Sequence, residues 1–391
     1  MVVRINEPVA YIVLYASMYA AFGVSSPFWP KFFETKGLTS QQIGFLLAAS
    51  MLVRLASGPL VGRLADALGS LRLVLASCAV LAAGMASAFL LASTFLFLLT
   101  IALLQGAVLA PITSIADALA VNVARPQLEG KPFEYGWIRG TASAAFILGT
   151  LTIGQLISQT DLTPIIWMNV ILLAATACAT SLVPGTQSKS HVRRATDLTG
   201  MRLLVSPSRL PVLLAVAALV YGSHAMHDAF SVIRWSDAGI GTSAISILWS
   251  EAVASEVVVF FLVGPALVRQ FGARGAATLA ATAGLLRWSV AGVTTSVPVL
   301  AILQPLHGLT FALLHLACMR MMADLVPVKL SATAQGLYAF ASGFMTTGLT
   351  LLSGTLYAWN EGASFFVMAV LCSVAVPIAW FGLTDNDAPA S

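Results

Sequence analysis

The sequence predicts an all-α membrane protein of twelve transmembrane helices in two six-helix bundles, and three observations lead there. Of its 391 residues, 58% are hydrophobic and only 9% are charged, whereas a soluble domain carries roughly 25% charged residues. So few charges cannot cover a water-facing surface, and the missing polar surface must face lipid. The apolar residues also form runs near the roughly 20 residues that cross a bilayer, and twelve such runs fit. Finally, Lys and Arg are sorted by loop, which is how membrane orientation is written in a sequence.

Taken in order, the first six spans run Pro8 to Phe33, Gln41 to Ala65, Leu71 to Leu91, Thr94 to Val123, Phe133 to Ser158 and Leu162 to Val183. Residues 184–209 then form a polar, basic linker with Lys189, His191, Arg193, Arg194, Arg202 and Arg209. The second six run Leu210 to Trp235, Ser243 to Val268, Ala273 to Thr295, Val297 to Ala323, Ser331 to Trp359 and Ala363 to Leu383. The domains are therefore 1–183, the cytoplasmic linker 184–209, and 210–391. No cleavable signal peptide is expected, because the first apolar run is too long for one.

Arg63, Arg72, Arg125, Lys131, the linker cluster, Arg269, Arg274 and Lys329 fall in one set of alternate loops. The opposite set holds little beyond Lys31, Lys36 and Arg234. This bias puts both termini and the linker in the cytoplasm of a multi-pass inner-membrane protein. The net charge of +4 does not point to nucleic acid, because the basic residues form no binding face. Cys78, Cys178, Cys318 and Cys372 sit inside apolar runs without disulfide or metal-ligand spacing. No cofactor or metal is expected; the expected partners are the bilayer, a small-molecule substrate and protons, with the chain a monomer.

Ionisable groups at hydrocarbon depth are costly and mark a pathway or a pair. Asp117 lies six residues before the end of span four, and Arg139 six residues into span five, so both sit about 9 Å deep. They read either as a structural pair or as substrate contacts. Arg54, midway along span two, either shares Asp117 or receives an anionic substrate. His224 and Asp228 share one face of span seven, with His227 near its edge. Trp249 and Glu256 align on span eight, which also carries Glu251; Arg287 and His307 lie mid-span on spans nine and ten. Carboxylates, an Arg and histidines at one depth suit proton coupling, since a desolvated carboxylate beside a movable Arg can exchange its proton; static salt bridges are the competing reading. His315, Arg320 and Asp324 lie nearer the cytoplasmic end of span ten. Tyr15, Tyr19, Phe22, Phe28, Trp29, Trp137, Trp249 and Tyr338 either line a cavity or serve as packing and interfacial belts.

The turn Gly62-Arg-Leu-Ala-Asp66-Ala-Leu-Gly69-Ser-Leu-Arg72 resembles the Gly-x-x-x-Asp-x-x-Gly-x-x-Arg loop of the major facilitator superfamily. There the glycines permit a tight turn and close helix contact, and the Asp bonds a neighbouring helix end. Gly264 to Arg274 is a degenerate second copy without the Asp. Pro27-Phe28-Trp29, Arg54-Leu55, Asp117-Ala-Leu-Ala120, and Tyr135-Gly136 with Arg139 resemble the phenylpropionate permease branch of that superfamily. So do Gly222-Ser-His224-Ala, Phe230-Ser231, Leu248-Trp249-Ser250, Glu256-Val257, Arg287-Trp288, Thr294-Thr295, His307, Thr310-Phe311 and His315 through Arg320. That branch is related to lactose permease-type proton symporters, whose coupling arrangement the Arg287, His307 and Glu256 set resembles. The departure is Thr310, which stands where that pattern has a carboxylate, so a proton carrier must be Glu256, Asp228 or Glu251.

The resemblance implies alternating access and proton-coupled uptake of a small organic solute such as an aromatic carboxylate. Glu256, Asp228, Arg287, His307 and Glu251 are the candidates for proton coupling, by the resemblance for Glu256, Arg287 and His307 and by their depth for Asp228 and Glu251. Arg54, Asp117, Arg139, Trp137, His224, Trp249 and Tyr338 are the substrate candidates, with Arg54, Arg139 or Arg287 receiving a carboxylate. Span five lacks the Gly-Pro pair of drug antiporters, which favours import. The alternatives are a proton-linked sugar or nucleoside carrier, an efflux transporter and, remotely, a metal-dependent membrane enzyme built on His224, His227 and Asp228. On the favoured reading the chain is not an enzyme.

Overall fold

A computed structural model of the chain describes residues 7–123, 135–184, 209–327 and 330–383. Most of the linker, with Arg125, Lys131 and Lys329, lies outside the described residues. Every regular element among the described residues is helical. Two compact units divide the chain: Met1–Gln42, Ala49–Val192 and Gly241–Ile247 form the first, and Ile43–Ala48, Arg193–Ile240 and Leu248–Ser391 the second.

Apart from Ile43–Ala48, the first unit holds the first six spans: span one is built from helices Glu7–Ser25 and Trp29–Thr35, followed by Ser40–Leu68, Leu71–Ala88, Phe95–Val123, Tyr135–Leu156 and Thr163–Ala179. In the second, span seven is built from Leu210–Gly222 and Ala225–Asp237. Span eight begins with Thr242–Val258, passes through a π-helical turn Val259–Val263 and continues into the helix Gly264–Val293. That run breaks at Gly272, whose φ of 70° and ψ of 174° are not helical, and span nine begins there. Span ten is assembled from Val297–Leu303, Leu306–Gly308, a second π turn Leu309–Leu313 and Leu314–Leu325. Ser331–Trp359 and Ala363–Gly382 complete the twelve spans.

Three spans expected to be continuous are interrupted. Span one stops at Ser25, ahead of Ser26-Pro27, because proline disfavours helix in the residue before it and supplies no N–H itself. The interruption is supported from neighbouring spans: Thr150 Oγ1 donates to the Gly23 carbonyl at 2.8 Å, and Asn169 Nδ2 to that of Ala21 at 2.8 Å. Backbone groups at membrane depth need such partners. Span seven breaks after Gly222, a weak helix former, where the Ser223 hydroxyl turns back onto the Val220 carbonyl at 2.6 Å. In span ten the interruption falls at Gln304-Pro305.

The two units repeat one plan. Span one packs on five and six, and span three on four and six; span seven packs likewise on eleven and twelve, and span nine on ten and twelve. The positive-φ glycines fall at corresponding turns: Gly37 and Gly239 after the first span of each unit, Gly69 and Gly272 after the second. The degenerate loop copy has therefore kept its left-handed glycine while losing its Asp. Gly69 supplies the expected tight turn, but Gly62 does not make the expected close helix contact. A Cβ there would meet nothing within 4 Å. Arg72 Nη1 donates to the Val183 carbonyl at 2.9 Å beyond the end of span six, a favourable end for a cation. The Asp66 side chain lies outside the described residues.

Without water between helices, association rests on close packing and interhelical hydrogen bonds rather than on apolar burial. Span nine shows the device: Ala273, Ala276, Ala277, Ala280, Ala281 and Gly284 are buried, while Leu286 and Val293 face outward. This small-residue face sits against span twelve, with Gly284 tight against Cys372. One turn further along the same buried face comes Arg287. Packing that admits span twelve so closely also takes this guanidinium out of lipid.

Candidate functional site

Arg287 is 2% exposed, with its guanidinium carbon 4.5 Å from the Trp288 ring centroid. Nη1 donates to His307 Nδ1 at 2.8 Å. Nη2 donates to Gln304 Oε1 at 2.8 Å and faces His227 Nε2 at 3.4 Å. A guanidinium has donors and no acceptor, so both imidazole nitrogens facing it must present lone pairs. Each ring then carries its proton on the other nitrogen. His307 Nε2–H donates to Glu256 Oε1 at 2.8 Å, and His227 Nδ1–H to Asp228 Oδ1 at 3.2 Å. One cation thus governs two arms, each ending in a carboxylate. Neither imidazole can gain a second proton until Arg287 moves away. Glu256 is largely enclosed, whereas Asp228 is 55% exposed.

Further contacts hold the arms in register. Trp249 stacks on His227 with centroids 4.9 Å apart, so the alignment with Glu256 along span eight places Trp249 on one arm and Glu256 on the other. Gly308 donates its N–H to Ser255 Oγ at 3.0 Å. A Cβ at Gly308 would collide with the Ser255 carbonyl, and this close approach lets His307 reach Glu256. The π turns Val259–Val263 and Leu309–Leu313 follow these two residues and touch each other. Such turns occur often at functional sites. Thr310 is not idle where the related pattern has a carboxylate. Its hydroxyl lies 2.9 Å from His224 Nε2 and 3.1 Å from the His307 carbonyl. His224 is buried, with Nδ1 on the Val220 carbonyl at 3.0 Å.

The first unit carries a separate constellation. Tyr15 donates to Asp117 Oδ1 at 2.5 Å. Arg139 Nη1 stands 3.9 Å from the same oxygen and donates to the Tyr19 hydroxyl at 3.1 Å. The sequence-level pair is thus close in space, but each member has its shorter contact with a different tyrosine, Asp117 with Tyr15 and Arg139 with Tyr19. The phenol-to-carboxylate bond is short and charge-assisted, worth about 1.5–3 kcal/mol. The ion pair is longer and its side chains are 46% and 37% exposed, which leaves it below about 1 kcal/mol. Arg54 is exposed on span two and forms no side-chain hydrogen bond or ion pair among the described residues, so the expectation that it shares Asp117 is not met. The Trp137 side chain lies outside the described residues.

Other candidates fall elsewhere. Glu251 is half-buried and stands apart from the Arg287 network. Tyr338 is 8% exposed, donating to the Tyr221 hydroxyl at 2.9 Å with His315 Nδ1 3.2 Å away. No group of three His, Cys, Asp or Glu side chains among the described residues is arranged to hold a metal. Sequence reasoning missed Gln304 and Tyr221 and gave His227 a marginal place. Gln304 carried a signal all the same: an amide inside an apolar run needs partners for the same reason a charge does.

A chain of twelve apolar helices in two repeated units, with ionisable side chains bonded together inside its spans, is a membrane transport protein by architecture. It belongs to the MFS_1 like family of the major facilitator superfamily, whose sequence pattern matches residues 9–368. It is 30% identical over 363 residues to the probable 3-phenylpropionic acid transporter of Escherichia coli (strain K12), covering 93% of this chain and 94% of that one. It is 25% identical to the maltose permease of Geobacillus stearothermophilus, covering 93% and 91%. Among solved structures, the nucleoside transporter NupG superposes with a TM-score of 0.82 at 15% identity, covering 97% and 98%. A bacterial homologue of the lysosomal transporter Spinster gives 0.74 at 13% identity, covering 96% of each chain. The protein is a transporter of this superfamily and not an enzyme.

The energetic ranking in the first unit is directly measurable. Tyr15→Phe should lower thermal stability in detergent more than Arg139→Gln does, by about 1 kcal/mol or more. Equal losses, or a larger loss for Arg139→Gln, would overturn this ranking.

Proposed function

We propose that the protein is a proton-coupled symporter that takes up a small organic anion, such as an aromatic carboxylate, by alternating access. The observation that carries this is the chain from Arg287 through His307 to Glu256. Its hydrogen-bond polarity ties the proton content of an enclosed carboxylate to the position of a cation. When Arg287 is drawn away, His307 Nδ1 becomes able to accept a proton, and the imidazolium so formed can give its Nε2 proton to Glu256. A change of conformation then becomes a change of protonation. Glu256 is the coupling carboxylate in this reading, with Arg287 and His307 as its controls and Asp228 at the end of the second arm. Glu251 takes no part in our scheme.

A carboxylate substrate is supported by Arg54, a cation at span depth with an exposed side chain, and by the substrate in the name of the Escherichia coli relative. Arg139 with Tyr19, together with Asp117, Trp137 and Trp249, complete the proposed contacts. Tyr338 and His224 are the remaining substrate candidates in the second unit. Uptake proceeds across a cell inner membrane by a monomer with both termini in the cytoplasm, as the loop charges favour.

Reconstituted protein tests the reading. Glu256→Gln, which stands for the permanently protonated side chain, should exchange labelled 3-phenylpropionate across the membrane yet fail to accumulate it under a pH gradient. Arg54→Gln should raise the KM for the anion by about tenfold or more, the scale of a lost charge-assisted bond. Full pH-driven accumulation by Glu256→Gln would remove Glu256 from the mechanism. In intact cells, an impermeant thiol reagent should label a cysteine introduced at Gly37 and not one introduced at Arg194; the reverse would invert the topology.

A further inference from the structure

The coupling reading leaves open what holds His307 at the right height against Glu256. Span ten is interrupted on both sides of it, by Gln304-Pro305 before and by the π turn Leu309–Leu313 after. A helix broken in this way has no regular ladder to fix the imidazole.

Phe311 lies inside the π turn and is gripped at both ends. Its ring stacks on His307, with centroids 5.7 Å apart and planes 14° from parallel. Its carbonyl accepts the Tyr221 hydroxyl from span seven at 3.2 Å. A π turn shifts the backbone pairing out of the i to i+4 register, and a side-chain donor can then serve a carbonyl there. Tyr221 also packs edge-on against the Phe311 ring at 5.4 Å.

The hydroxyl chain has one direction. Tyr221 spends its single proton on the Phe311 carbonyl, so its oxygen accepts from Tyr338 on span eleven at 2.9 Å. Tyr338 has then spent its proton as well, so His315 Nδ1 at 3.2 Å must be the donor to it. His315 returns the chain to span ten, one turn beyond Phe311. Ending on a peptide carbonyl, the chain cannot pass a proton to Glu256. Its consequence is positional: the π turn is tied to spans seven and eleven.

We propose that Tyr221, backed by Tyr338 and His315, is a positioning residue for proton coupling. It seats the Phe311 carbonyl, and through the stacked ring it fixes His307 between Arg287 and Glu256. This rests on the coupling reading above but is separable from it.

The test uses full-length protein labelled with 15N-histidine, in which His307 is assigned by difference from His307→Gln, and the ratio of pH-driven uptake to counterflow of 3-phenylpropionate. Wild type should show His307 as one tautomer, protonated at Nε2. In Tyr221→Phe, which keeps the ring and loses the hydroxyl, the His307 signals should move toward mixed tautomers. The uptake ratio should fall about fivefold, the equivalent of one lost hydrogen bond. Unmoved His307 signals would overturn the proposal, whatever the ratio does. Moved signals with an unchanged ratio would uphold the latch and overturn the coupling reading instead. Should Tyr221→Phe fail to fold, Tyr338→Phe removes the donor behind Tyr221 and is read the same way, with a smaller shift in the same direction.

Discussion

A guanidinium enclosed among membrane helices dictates most of what surrounds it. Arg287 has no acceptor of its own and no bulk water, so every group in its reach must offer a lone pair. Gln304 turns its carbonyl inward, and His307 and His227 both present an unprotonated nitrogen. Their protons are thereby directed outward to Glu256 and Asp228. The tautomers follow from one cation, and the carboxylates inherit their partners from the tautomers.

That arrangement also accounts for the irregular backbone around it. Uninterrupted helices would give spans eight and ten regular ladders and fewer ways to bring Ser255 and Gly308 into contact. Instead, both contain a π turn just past the residue that matters. The alanine face of span nine lets span twelve close over Arg287, and Cys372 and Trp288 both reach Ser223 behind it. In the second unit the breaks in spans seven and ten and both π turns lie next to residues of the proposed proton pathway. In the first unit the balance differs. Asp117 accepts the Tyr15 hydroxyl at 2.5 Å while Arg139 stands 3.9 Å from the same oxygen, and Arg54 is exposed.

Much of this was legible in the residues. Composition alone excluded a soluble fold, and the apolar runs located the spans to within a few residues, because lipid imposes one length on every crossing segment. Depth arithmetic brought Asp117 near Arg139, and Glu256 near Arg287 and His307, since each helix advances by a constant rise. Depth says nothing about rotation, however, and that is why Glu251 was grouped with residues it does not meet. Breaks in spans one, seven and ten were missed although Ser26-Pro27, Gly222-Ser223 and Gln304-Pro305 marked them, because a few polar or proline residues do not end an apolar run of spanning length. The Gly62 contact expected from the loop pattern failed because that face of span two opens onto empty space. Tyr221 and Gln304 were passed over as neutral residues, and Thr310 was noted only as a missing carboxylate, although an uncharged polar group in a span needs its partners too.

Proton movement that accompanies solute flux is the most direct test of the account. Proteoliposomes in weak buffer would receive 3-phenylpropionate outside, and the external pH would be followed as the solute enters, with protein-free vesicles subtracted for passive entry of the free acid. The account predicts alkalinisation in step with uptake by the wild type, and solute exchange without it in Glu256→Gln. Solute uptake by the wild type with no pH change, or alkalinisation that survives in Glu256→Gln, would contradict it.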